Sequence, residues 1–289
     1  MIEHPEAVTI AGQIAETLTG KQIEAAVRGN APHKFAFYNR EPEAYATILA
    51  GQSIVGAEPS GSLIFVHTDG GRIIVLGGGG ERILYHAAAD TLPKKHQLLL
   101  QFSDETYLTV SVQGWGSCQL FTPQELEQYH WYANRSLEAT DGGFTADHFD
   151  GLFAPLEPDD SRSIKFFIIS EPGVWGLGNG YLQDILLAAR LHPRVRAVEL
   201  SEEQRLTLHG SIVAVIRRAI ELGGRTDERD LFGETGGYER RLSAAAVGRP
   251  CPACGDGAIA KESFLGGAVY TCPQCQPRPP KTERRKGKG

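Results

Sequence analysis

The sequence of 289 residues predicts an α+β fold: one helix, an antiparallel β-sandwich, a helical region and a metal-binding hairpin at the C-terminal end. Three observations carry that expectation. An apolar stripe at helical spacing opens the chain, short β-rich runs follow between Gly, Asp and Pro turns, and two cysteine pairs stand near the end. Ala7, Ile10, Ile14 and Leu18 recur at intervals of three and four within 5–20 and are followed by Gly20, so this segment reads as one amphipathic helix. From 22 to about 120 the pattern changes to short runs at 64–66, 73–76, 97–102 and 107–112, which predict a sandwich or barrel. The stretch 120–160, with Pro123, Pro155 and Pro158, reads as a short helix and then a linker. Helical patterns return at 163–169, 182–190 and 201–221, the last opened by a capping box of Ser201 and Gln204. The domains expected are 1–125, a linker 126–160, 161–245, 246–279 and a disordered basic tail 280–289.

Hydrophobic residues make up 41% of the chain and charged residues 22%, which excludes a disordered protein. No apolar run approaches the roughly 18 residues of a membrane span. No charged segment followed by an apolar one opens the chain, so a cytoplasmic protein is expected. The net charge of −6 hides an asymmetry. From Arg249 onward eight basic residues stand against three acidic ones, a balance of +5, which leaves −11 for the rest. A basic tail on an acidic body suits a polyanion partner, although such tails also serve only to keep a protein soluble.

Four of the five cysteines lie in two close pairs, Cys251-Pro-Ala-Cys254 and Cys272-Pro-Gln-Cys275, separated by seventeen residues. Each pair straddles a tight turn so that two sulfurs face one side, and two such knuckles on a hairpin make a tetrahedral four-thiolate shell for one zinc per chain. A closed shell has no open position, so the zinc is expected to be structural. Cys118 is left over as a buried thiol.

Further motifs stand in a fixed order. Glu3-His-Pro5-Glu6 precedes the first helix, and Ile164-Lys165 precedes Gly176-Leu-Gly178-Asn179-Gly-Tyr181 and Leu191-His192-Pro193. Gly223-Gly224-Arg-Thr226 and Gly236-Gly237-Tyr238 then lead into the cysteine hairpin, which ends Cys275-Gln276. Over nearly its whole length the sequence resembles the formamidopyrimidine-DNA glycosylase and endonuclease VIII family, bacterial base-excision enzymes for oxidised bases. The resemblance implies a catalytic N-terminus, a helix-two-turn-helix domain, a zinc ribbon, and a partner that is double-stranded DNA with a damaged base or abasic site, bound by a monomer. It assigns Glu3 to proton management at the sugar, Glu6 to a carboxylate held by the first helical amides, and Lys165 and Asn179 to phosphates. Gly178, just before Asn179, would let the backbone approach a phosphate at a helix N-terminus.

The sequence also departs from the family. Members begin Met-Pro-Glu and attack the sugar through the proline amine, whereas this chain reads Met1-Ile2-Glu3. Met1's α-amine, or Lys34, is the remaining candidate nucleophile. A lysine expected near Ser60-Gly61-Ser62 and an arginine expected near Gly267 are missing. Of the positions that would fill the space left by an extruded base, Gly78 has no side chain, while Gln113 and Trp115 remain; Trp115 can serve as a wedge or be an ordinary core aromatic. Base-reading residues are expected in 225–243 and around His33-Lys34-Phe35. Two functions of different class follow: a glycosylase with weak or absent AP lyase activity, endonuclease VIII-like and using Glu3 or Met1, or a family member that binds damaged DNA without chemistry. A zinc-ribbon RNA binder would not explain Glu3, Lys165 and Asn179 together.

Overall fold

The computed structural model describes residues 1–280; the last nine residues of the expected basic tail lie outside the described residues. The chain divides into two compact units. Among the described residues the first comprises 1–144, 174–180 and 214–239, and the second 145–173, 181–213 and 240–280.

The first unit opens with α1 (His4–Leu18), whose Ala7, Ile10, Ile14 and Leu18 are buried, as their spacing predicts. Each fully buried Ile or Leu contributes about 1.5–3 kcal/mol relative to an exposed one. Next come β1 (Ile23–Val27), β2 (Ala36–Phe37) and α2 (Pro42–Leu49). The sequence reading has no helix at α2. Its signal is short: Pro42 in the first turn, with Tyr45 and Leu49 buried one turn apart. The remaining strands are β3 (Ile54–Ser60), β4 (Leu63–Thr68), β5 (Ile73–Gly77), β6 (Glu81–His86), β7 (Leu98–Phe102), β8 (Tyr107–Val112) and β9 (Gly116–Phe121). Two short helices, α3 (Pro123–Gln128) and α4 (His130–Ala133), follow them.

These strands form a five-stranded sheet, ordered β2-β9-β5-β4-β3, and a four-stranded sheet, ordered β1-β7-β8-β6. All pairs are antiparallel except β2 with β9. Ile64, Val66, Ile74, Leu76, Cys118 and Leu120 of the first sheet share one core with Leu98, Leu100, Leu108 and Val110 of the second and with α1. The intervening residues Leu63, Phe65, Val75 and Phe121 pack instead against Tyr129, Trp131, Tyr132 and Trp175. With both faces covered, β4 and β5 read as continuous apolar runs rather than alternating ones. Cys118 is fully buried and unpaired, as expected.

The second unit contains α5 (Ala146–Gly151) and α6 (Ile164–Ile169). Helices α7 (Asn179–Ala188) and α8 (Glu202–Glu221) follow, each contributing residues to both units. The capping box at α8 is present: Ser201 N–H donates to Gln204 Oε1 at 3.0 Å, and Gln204 N–H donates to Ser201 Oγ at 3.2 Å. A hairpin of β10 (Ala260–Phe264) and β11 (Gly267–Thr271) turns through Leu265 and Gly266, both at positive φ, the backbone a tight two-residue turn requires. Asp184 on α7 accepts the N–H groups of Arg241 and Leu242 at 2.9 and 2.8 Å, anchoring the segment that leads into this hairpin.

Candidate functional site

The N-terminus is built into a buried charged cluster in the first unit. At the start of α1, Glu6 Oε2 accepts the Glu3 N–H at 2.9 Å, as expected for a helix-start carboxylate. The other oxygen of Glu6 accepts the Arg225 N–H at 3.0 Å. Glu3 itself is 1% exposed, and its two oxygens accept the N–H groups of Gly178 at 2.8 Å and Gly180 at 2.7 Å. The helix N-terminus expected to face a phosphate therefore holds the protein's own carboxylate, which its amides and dipole stabilise in the same way.

The glycines at this helix start also have a use inside the protein. A Cβ at Gly180 would stand 2.1 Å from Arg225 Nη1, and one at Gly178 would stand 2.9 Å from Glu3 Oε1. Their bare backbone makes room for Glu3 and Arg225. Arg225, 3% exposed, lies 3.4 Å from Glu3, 3.6 Å from Glu6, 3.3 Å from Asp227 and 3.5 Å from Glu228, and donates to the Met1 carbonyl. Its guanidinium is thus internal, not a base reader as its place in 225–243 suggests. Burial raises the Glu3 pKa above the ordinary carboxylate range, with Arg225 and the two amides opposing and Glu6 assisting.

Met1's amine is ion-paired with Glu228, which also meets Arg82 at 3.3 Å. Ile2, 2% exposed, sits in the sandwich core, and its N–H donates to Gly79 O at 2.7 Å. His4 completes the anchorage, its Nδ1 3.1 Å from Gly61 O and its Nε2 2.7 Å from Thr140 Oγ1.

The glycine loop that receives Ile2 is held by Glu81, a residue the sequence reading passes over. Only 3% exposed, its carboxylate accepts the N–H of Gly79 at 2.9 Å and of Ser117 at 2.8 Å, and burial pushes its pKa up to about 7. Across from this loop Trp115 is 48% exposed, which rules out the core-aromatic alternative, and Gln113 beside it is also exposed. Gly80 N–H bonds to Trp115 O at 2.9 Å.

In the second unit the four cysteine sulfurs lie within 4.8 Å of one another, with Cys251 and Cys275 3.6 Å apart and Cys254 and Cys272 3.7 Å apart. A tetrahedron of thiolates about 2.3 Å from a zinc ion has edges of about 3.8 Å, so the donor set fits that metal. Gln276, buried beside it, donates from Nε2 to Leu191 O at 2.8 Å and accepts the Cys272 N–H at 3.0 Å. Lys165, expected to reach phosphate as a point charge, is 0% exposed and donates from Nζ to Phe264 O at 2.9 Å. That carbonyl belongs to the hairpin turn, so the ammonium satisfies protein backbone, and burial lowers its pKa. Asn179, the first residue of α7, is exposed. Glu81 is the residue that sequence reasoning missed; Arg225 and Glu228 lie within 225–243, where base readers are expected, and the local signal for Arg225 is its place inside the Gly-Gly-Arg-Thr motif.

A β-sandwich bearing a carboxylate-rich N-terminus, a glycine-opened helix start and a four-cysteine hairpin stand together in a chain whose curated relatives are DNA glycosylases. Residues 139–230 match the family model for the formamidopyrimidine-DNA glycosylase H2TH domain. A formamidopyrimidine-DNA glycosylase of Enterococcus faecalis is 30% identical, over 96% of this chain and 97% of its own. That of Bacillus licheniformis is 28% identical, over 96% and 99% respectively. Among solved structures, the Lactococcus lactis Fpg bound to DNA containing an abasic site superposes with a TM-score of 0.83 at 23% identity, covering 96% of this chain and all of that one. The chain belongs to the formamidopyrimidine-DNA glycosylase family.

Proposed function

We propose that the chain hydrolyses the N-glycosidic bond of an oxidised base in double-stranded DNA, in the manner of endonuclease VIII, with weak or no strand cleavage. The state of the N-terminus carries this reading. Imine formation needs an amine lone pair, and Met1's ammonium is engaged with Glu228 while Ile2 behind it is fixed in the core. A carboxylate has about four lone-pair sites. The Gly178 and Gly180 amides hydrogen-bond to Glu3 and Arg225 faces it as an ion pair at 3.4 Å, which leaves a lone pair to take a proton from water. Water oxygen then bonds to the sugar carbon while the electron pair of the C–N bond leaves with the base.

On this reading 1–125 is the catalytic-type domain, 161–245 binds DNA and 246–279 holds one structural zinc. The protein works as a cytoplasmic, nucleoid-associated monomer without a membrane partner. Asn179 grips phosphate, Gln113 and Trp115 meet the duplex where the base leaves, and Lys165 contributes by fixing the hairpin turn. The alternative, a binder of damaged DNA without chemistry, is favoured by one observation: Glu3 is already heavily engaged.

End-labelled duplexes bearing 5-hydroxyuracil, thymine glycol, 8-oxoguanine or an abasic site test the choice, each read with and without alkali. Breaks that appear at a damaged base only after alkali are expected. No base loss from any duplex, with abasic DNA still bound, establishes the binder instead.

A further inference from the structure

A cavity of about 460 Å³ opens in the first unit between the outer face of the five-stranded sheet and the aromatic segment after it. That size falls within the roughly 300–1,000 Å³ of small-ligand sites. Trp131 and Trp175 line it with near-parallel rings, tilted by 17° with centroids 6.1 Å apart. Gln119 and Ser117 project into it from β9, Ser117 Oγ donating to Gln119 Oε1 at 3.3 Å. At its lip stands Trp115, half exposed and edge-on to Phe37 with centroids 6.4 Å apart. Gly77 and Gly78 form the adjoining wall without side chains.

None of the described residues lining the cavity is charged. A phosphate or a carboxylate would find no cation there, whereas a flat, neutral heterocycle would find aromatic faces to stack on and an amide to read its edge. Met1 and Glu3 do not line it, so the groups that act on the glycosidic bond do not reach into it. Extruding that base leaves its former partner unpaired and opens a gap in the stack. Gly78 cannot fill the gap.

We propose that this cavity takes the orphaned partner base, unstacked from the duplex past Trp115 and read by Gln119. The proposal rests on the glycosylase reading above. It gives a use to a glycine wall where a wedge would otherwise stand, and to an exposed tryptophan beside it.

Permanganate oxidises unstacked thymine and tests the proposal directly. The full-length, zinc-loaded protein is bound to a duplex with a tetrahydrofuran abasic-site analogue opposite thymine, and oxidation of that thymine is compared with the free duplex. Protection of about tenfold or more is expected. In Trp131→Ala protection should be lost and affinity should fall about tenfold, the loss of one base–aromatic stack. Gln119→Leu, close in shape and safe for the fold, should change the preference among the four orphan bases. Thymine that stays as reactive as in free DNA while the abasic site is bound overturns the cavity proposal and leaves the glycosylase reading standing. So does protection that both variants retain unchanged with no shift in base preference. No preference for the abasic duplex over an intact one overturns the glycosylase reading and this proposal with it.

Discussion

The four-cysteine hairpin and the N-terminal cluster are both polar centres, yet they are specified in opposite ways. The ribbon gathers its four sulfurs from residues 251 to 275, and the spacing of two Cys-x-x-Cys turns fixes the donor geometry. The N-terminal cluster gathers Glu3, Glu6, Gly178, Gly180 and Arg225, whose hydrogen bonds span 175 to 219 residues. In the first case local chemistry makes the site; in the second the fold makes it, from groups that mean little in their own neighbourhoods. A locally specified site should fail alone, and a fold-specified one should take the fold with it.

Zinc removal should have the largest effect. Structural zinc supplies on the order of 10 kcal/mol to small ribbons. Chelation should therefore raise amide exchange throughout 251–276, while fluorescence of the three tryptophans, all in the first unit, stays unchanged. A simultaneous fluorescence change would mean that the ribbon is not a separate failure point.

Replacing Arg225 by Met should come next. Arg225 is 3% exposed among Glu3, Glu6, Asp227 and Glu228, and removing the cation leaves buried carboxylates unbalanced, at a cost of about 3–5 kcal/mol in the unfolding free energy obtained from denaturant titration. A loss below about 1 kcal/mol would mean that the cluster is not fold-specified.

The smallest effect concerns pH. Glu81 holds its proton up to about 7 in the fold against an ordinary value of 4.5, so the folded chain binds the extra proton between those limits. Stability should fall as pH rises from about 4.5 to 7, and Glu81→Gln should flatten that slope. A slope unchanged in the variant would assign the titration to another group.

The same contrast explains what could be read in advance. Helix α1, the sandwich strands, the Ser201–Gln204 cap and the cysteine shell follow from periodicity and spacing within a few residues. Helix α2 was missed because one buried turn among strands gives too short a period. The contact of Lys165 with the hairpin turn is not legible in advance, because a lysine in a motif is the same letter whether it faces solvent or a carbonyl. Gly178 signals a close approach, but not what approaches, and here Glu3 lies against it.

The central claim is that Glu3, not the N-terminal amine, does the chemistry. Single-turnover base release from a 5-hydroxyuracil duplex, run with borohydride to trap any imine, compares the native chain with Glu3→Gln after both are shown to bind abasic DNA and to melt alike. Loss of a general base costs about a hundredfold or more in rate. A fall of that size in Glu3→Gln, with no trapped adduct in either protein, is the expected result. Efficient trapping that survives Glu3→Gln and disappears when the Met1 amine is blocked would contradict it.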